Sequence, residues 1–181
     1  VIPDSVFSSS VIDAGWRYRV PDRFKPLESF THDTMGRDYR FWVDGGFLWS
    51  QAEGGQPVQE LPLPDATRIS ACFDQNGRLH LVYNTAASCF FRWYDSQAGG
   101  MVTTEYPGVI DAQCVLDDPR QYWSATSDVL LIYTLAGSLN VREQRDRFGV
   151  VKVSSPAPGL KVIAAGMSNA NRLQVECIAV A

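Results

Sequence analysis

Along residues 68–84, RISACFDQNGRLHLVYN, one apolar run, a tight polar turn and a second apolar run follow one another. Strand-forming residues on both sides of a turn that holds Gly77 predict a β-hairpin. The pattern returns elsewhere. Asp33-Thr34-Met35-Gly36-Arg37 precedes Asp38 to Trp42, and Asp74-Gln75-Asn76-Gly77-Arg78 precedes Leu79 to Tyr83. Ser168-Asn169-Ala170-Asn171-Arg172 precedes Leu173 to Cys177. Each copy has a polar turn, an Arg and a strand-forming run. Gly36, Gly77 and Asn171 stand where a positive φ is expected, which costs Gly nothing and Asn little.

The match continues downstream of the turn. Phe47-Leu48-Trp49 leads through Gln51 to Gly55 and on to Pro62, and Phe91-Arg92-Trp93 leads through Gln97 to Gly100 and on to Pro107. A looser third copy runs from Asp128 to Leu135, turns at Ala136-Gly137, continues over Ser138 to Glu143 and ends past Val150-Val151-Lys152-Val153. A four-stranded unit recurring about every 45 residues is the spacing of a propeller blade. The units cover residues 30–65, 68–108, 109–159 and 160–181, within one all-β domain over 1–181. The last unit supplies two strands, so two more are expected from Ser10 to Ala14 and Trp16 to Val20, within residues 1–29. Both chain ends would then share one blade and close a four-bladed ring with no open edge. The alternative is a β-sandwich or prism with residues 1–29 as an arm. No window shows a helical period.

Length and composition add bounds. At 181 residues, 45% apolar and 20% charged, the chain is long enough for one domain with a sizeable core. A net charge of −4 without a concentrated Lys/Arg patch argues against nucleic acid as a partner. No apolar stretch is long enough to span a bilayer, so no membrane partner is expected. Cys72, Cys89, Cys114 and Cys177 are dispersed among apolar neighbours with no C-x-x-C pair, which predicts reduced, buried thiols in a reducing cytoplasm. His32 and His80 are not spaced to complete a zinc site, and no metal or cofactor is expected.

Catalytic signatures are missing. Gly-x-Ser-x-Gly, His-Glu-x-x-His, a phosphate loop and an EF-hand series do not occur, nor does the Ser-x-Asp-x-Gly-x-Thr-Trp box of sialidase-type propellers. The chain is therefore expected not to be an enzyme. Asp13, Asp65 and Asp111 stand near the starts of successive units and suggest a carboxylate ring, but short polar residues more often cap turns through their own side chains. Trp49 and Trp93 occupy equivalent places in the repeat and are expected between blades. Trp123 differs, because it falls with Arg120 and Tyr122 in the one long insertion, Asp117 to Ser127. Arg120, Tyr122 and Trp123, with Trp16 of the N-terminal segment, are the candidate interface residues, since specific interfaces draw on Trp, Tyr and Arg.

Three stretches carry a resemblance. Ser127-Asp128-Val129-Leu130-Leu131-Ile132-Tyr133, Gln144-Arg145-Asp146-Arg147-Phe148 and Gly166-Met167 with Arg172-Leu173-Gln174 resemble segments of small structural proteins of tailed bacteriophages, found among tail genes. The resemblance covers roughly the last two thirds of the chain and carries no assigned chemistry. It implies a virion or tail component, made in the host bacterial cytoplasm, whose partners are other virion proteins in a symmetric multi-copy assembly. The rival expectation is a carbohydrate-binding module that recognises a host surface glycan through the Trp123 loop.

Overall fold

The computed structural model describes residues 25–117, 128–167 and 172–179. Among them the chain is all-β, with one 3-10 turn at Gln144–Asp146. Sheet I comprises β1 (Glu28–His32), β2 (Asp38–Asp44), β3 (Phe47–Ala52) and β4 (Val58–Pro62). Sheet II comprises β5 (Arg68–Phe73), β6 (Leu79–Asn84), β7 (Ser88–Asp95) and β8 (Gly100–Pro107). Sheet III comprises β9 (Gln113–Leu116), β10 (Val129–Leu135), β11 (Ser138–Glu143) and β12 (Val151–Pro156), and sheet IV pairs β13 (Leu160–Met167) with β14 (Leu173–Ala179). Each sheet is an antiparallel meander in chain order.

Register makes the repeat explicit. His32 faces Asp38, Phe73 faces Leu79 and Met167 faces Leu173, each pair flanking a five-residue turn. Phe47 faces Pro62, Ser88 faces Pro107 and Ser138 faces Pro156 across the third and fourth strands of sheets I to III. The two fully described turns share their wiring. Asp33 Oδ1 accepts the Met35 and Arg37 N–H groups at 2.8 and 3.0 Å, and Asp74 Oδ1 accepts those of Asn76 and Arg78 at 2.8 and 2.9 Å. Gly36 and Gly77 follow at φ +78° and +72°, a conformation a side chain with a Cβ adopts at a cost. Asn171 lies outside the described residues.

Register also corrects one equivalence. Counting from the second hairpin turn, the counterpart of Trp49 is Phe90 and that of Trp93 is Ala52. The similar Phe-x-Trp strings misalign because Phe47 is the first residue of β3 and Phe91 the fourth of β7. Trp93 is buried between sheets II and III, while Trp49 lies on the other side of its sheet, stacked on Trp42 at 6.4 Å.

Three apolar cores lie between successive sheets. Phe41, Leu48 and Leu63 pack on Ile69, Ala71 and Leu81 between I and II. Val82, Cys89, Phe91 and Trp93 pack on Cys114, Leu116, Leu131 and Tyr133 between II and III. Ile132 and Val141 pack on Val162 and Met167 between III and IV. First strands lie beside first strands, β1 by β5, β5 by β9 and β9 by β13, while β12 is exposed along its length. The inner strands also share a polar link: Ser29 Oγ accepts the Ala71 N–H at 2.9 Å, and Ser70 Oγ accepts the N–H of Cys114, the counterpart of Ala71, at 3.1 Å. The step from sheet I to II is thus repeated from II to III. Arg68 of β5 donates to the Val162 carbonyl of β13, two sheets on.

Candidate functional site

Ten residues, 118–127, separate Asp117 from Asp128, where three separate Asp33 from Arg37 and Asp74 from Arg78. The same backbone bond closes all three turns: Asp33 N–H to Arg37 O at 3.0 Å, Asp74 N–H to Arg78 O at 2.9 Å and Asp117 N–H to Asp128 O at 2.6 Å. Residues 118–127 therefore fall in the chain where sheets I and II have the three central residues of the Asp turn. Arg120, Tyr122 and Trp123 lie outside the described residues, as does Trp16.

The frame of the insertion is well defined. Asp128 is bound by the Arg145 guanidinium, which also lies 3.5 Å from Glu143. That bond to Asp128 holds the Arg145 pKa above its ordinary value. Gln144 works in two directions, accepting the Val129 N–H at 3.3 Å and donating to Asp74 Oδ2 at 3.3 Å. Arg147 binds the Asp95 carboxylate and donates to Gln97 at 2.7 Å, which keeps the Asp95 carboxyl below its ordinary range. Between these ties Phe148 enters the core of sheets II and III, 4.6 Å from Phe91 and 5.1 Å from Trp93 by ring centroid. Arg147 and Phe148 hold φ of 53° and 56°, a strained setting for non-glycine residues. Hydrogen bonds from Arg142 Nη1, at 2.8 Å, and Tyr106 Oη, at 3.4 Å, to the Phe148 carbonyl keep it there. Sequence reasoning missed this wedge; its only trace was an aromatic among charges in Arg145-Asp146-Arg147-Phe148.

The remaining polar groups are consumed by the fold. Asp111 is not the local turn cap expected from sequence. Its carboxylate accepts the Thr134 N–H at 3.0 Å, the Thr134 hydroxyl, and the Val162 N–H at 2.8 Å, so it ties the entry of sheet III to sheet IV. Asp65 is exposed, so Asp65 and Asp111 share no site; Asp13 lies outside the described residues. Asp74 and His80 are buried together, with His80 Nε2 3.4 Å from Asp74 Oδ2 and Nδ1 without a hydrogen-bond partner. Burial alone would raise the Asp74 carboxyl; the bonds from His80, Arg78 and Asn76 outweigh it and hold its pKa low.

All four cysteines are free. Cys72, Cys89 and Cys114 are buried, and burial pushes the Cys72 and Cys89 thiols up. Cys177 departs from the expectation and is partly exposed, because it lies on the two-stranded sheet. Among the described residues no group of three His, Cys, Asp or Glu could hold a metal ion, and no helix is long and apolar enough to cross a membrane. Compared with known proteins, the chain matches no family model, no curated sequence and no solved structure.

Proposed function

We propose that the chain is a non-enzymatic structural component of a tailed-bacteriophage virion, placed in the tail, that acts through protein–protein contacts in a symmetric multi-copy assembly. The observation that carries this reading is the built frame of the 118–127 insertion. A turn of three residues is lengthened to ten, on a base locked by Asp128–Arg145, Gln144 and the Phe148 wedge. A loop rich in Arg, Tyr and Trp on a rigid base suits a contact surface. The stretches that resemble tail proteins contribute to this base: Asp128 to Tyr133 includes most of β10, and Gln144 to Phe148 holds the 3-10 turn and the wedge.

The same proposal includes a propeller-like arrangement of the sheets as blades about a central axis. The repeated Ser29–Ala71 and Ser70–Cys114 links support it, because a constant step repeated from unit to unit generates a ring or a helix. The bond from Arg68 to Val162 favours the ring. Sheets packed face to face lie about 10 Å apart, so in a straight stack β13 would be about 20 Å from β5, beyond the reach of one side chain.

Trp123→Ala tests the function. It should weaken assembly by about 2 kcal/mol and leave the melting temperature unchanged, because the residue stands outside the repeated strands. Sedimentation and thermal denaturation read the two effects. Normal assembly with lost binding to a glycan array would instead favour the host-glycan reading.

A further inference from the structure

The four units present corresponding faces, and one of these faces is unlike the rest. On the face of sheet II toward sheet I, the opposed pairs are Ile69–Tyr83, Ala71–Leu81 and Phe73–Leu79. On sheet III, toward II, they are Cys114–Leu131 and Leu116–Val129. All are apolar or aromatic. On sheet I the corresponding pairs are Glu28–Trp42, Phe30–Arg40 and His32–Asp38. Glu28 is ion-paired with Arg40 at 3.0 Å, and Arg40 lies 4.8 Å over the Trp42 ring. One end of this face forms an open groove of about 410 Å³ whose lining includes Asp38, Arg40, Gln51 and Glu53.

Sheet IV has a face of mixed character, where Lys161, Ala164 and Gly166 of β13 lie opposite Ile178, Glu176 and Gln174 of β14. Leu173, Val175 and Cys177 pack on sheet III, so Gln174, Glu176 and Ile178 point the other way. Arg40 Nε and Glu176 Oε1, on these two faces, are buried polar atoms without a hydrogen-bond partner among the described residues. Such atoms are costly unless something satisfies them.

The edge beside Glu176 is equally unusual. The outer strands β4, β8 and β12 end at Pro62, Pro107 and Pro156. Proline is one of the devices that stop an edge from pairing. β14, Leu-Gln-Val-Glu-Cys-Ile-Ala, has no Pro, Gly or Lys and, among the described residues, stands in a sheet of two strands where the others have four.

We infer that the edge of β14, together with the polar face of sheet I, is the docking site of this chain's own residues 10–20, which add two strands to sheet IV. The inference rests on the radial arrangement proposed above. A junction motif supports the connection. Leu63-Pro64-Asp65 and Val109-Ile110-Asp111 follow the fourth strands of sheets I and II and lead into the next first strand, with Leu63 and Val109 buried. Val20-Pro21-Asp22 is a similar apolar-x-Asp string at a greater distance: Asp22 precedes Glu28 by six residues, Asp65 precedes Arg68 by three and Asp111 precedes Gln113 by two.

Hydrogen exchange on the intact chain tests this. Residues 173–179 should exchange as slowly as β6 and β7, and the protection should persist on dilution. Deleting residues 1–20 should accelerate exchange there by at least about a hundredfold, and a synthetic peptide of residues 1–20 should restore it. If residues 173–179 of the intact chain exchange as fast as β4 and β12, the docking site is wrong. Protection lost on dilution also overturns it, in favour of an arm supplied by a second copy. The radial arrangement is tested separately by Arg68→Met, which should lower the melting temperature if Arg68 spans the axis and leave it unchanged if it does not.

Discussion

A single carboxylate, Asp74, closes its turn by accepting two backbone N–H groups, faces His80 in the interior and receives Gln144 from the neighbouring sheet. Its lowered pKa has a direct consequence for stability. A carboxyl whose folded pKa is depressed stabilises the fold in full well above the ordinary value of 3.8, and that contribution is lost as the pH falls through the folded value. Asp74→Asn should therefore be less stable than the parent at neutral pH, and the gap should narrow in acid denaturation below about pH 4. A gap independent of pH would show that the charge of Asp74 is not what the turn uses. Gly77 in the same turn is a test of backbone alone. Gly77→Val forces a β-branched residue to positive φ and should cost on the order of 1–3 kcal/mol by chemical denaturation. An unchanged midpoint would mean the turn relaxes without strain. Gly77 was legible in the sequence because only a few residue types suit that position; Asp74's link to Gln144, seventy positions away, was not.

At the scale of elements, hairpins were the most legible feature. Polar turn, Arg and strand-forming run recur with the spacing that register then reproduces. Position within a strand was less legible, and it decides which residues are equivalent. Trp49 is the third residue of β3 and Trp93 the sixth of β7, an odd offset that puts them on opposite sides of their sheets and Trp93 in the core. The Phe148 wedge was hidden for a different reason. Its burial depends on a 3-10 turn and two left-handed residues, a local path with no periodicity to detect. Phe148→Ala should cost about 3–5 kcal/mol, since it removes a buried aromatic while leaving the strained backbone in place. Urea denaturation would show it as a shifted midpoint. A loss below about 1 kcal/mol would mean the core closes over the gap, and the frame of the insertion would then not depend on the wedge.

For the whole molecule, the sequence conveyed an all-β chain of repeated units, and the structure adds how the units touch. The three contacts between successive sheets are apolar, and the outward faces of sheets I and IV mix charged, aromatic and aliphatic residues. That contrast could not be read along the chain, because Glu28, His32, Asp38 and Arg40 look like ordinary polar positions until register puts them on the face that its counterparts fill with Ile, Leu and Tyr. The candidate interface was legible only as an insertion, since its composition says what it could bind and its frame comes from residues far along the chain.

The proposed role is that of one copy in a symmetric assembly held by protein contacts. Sedimentation equilibrium of the purified intact chain over a wide concentration range measures it most directly. The account predicts a defined closed multimer that Trp123→Ala shifts toward monomer with the fold intact. A chain that stays monomeric at every concentration would contradict it.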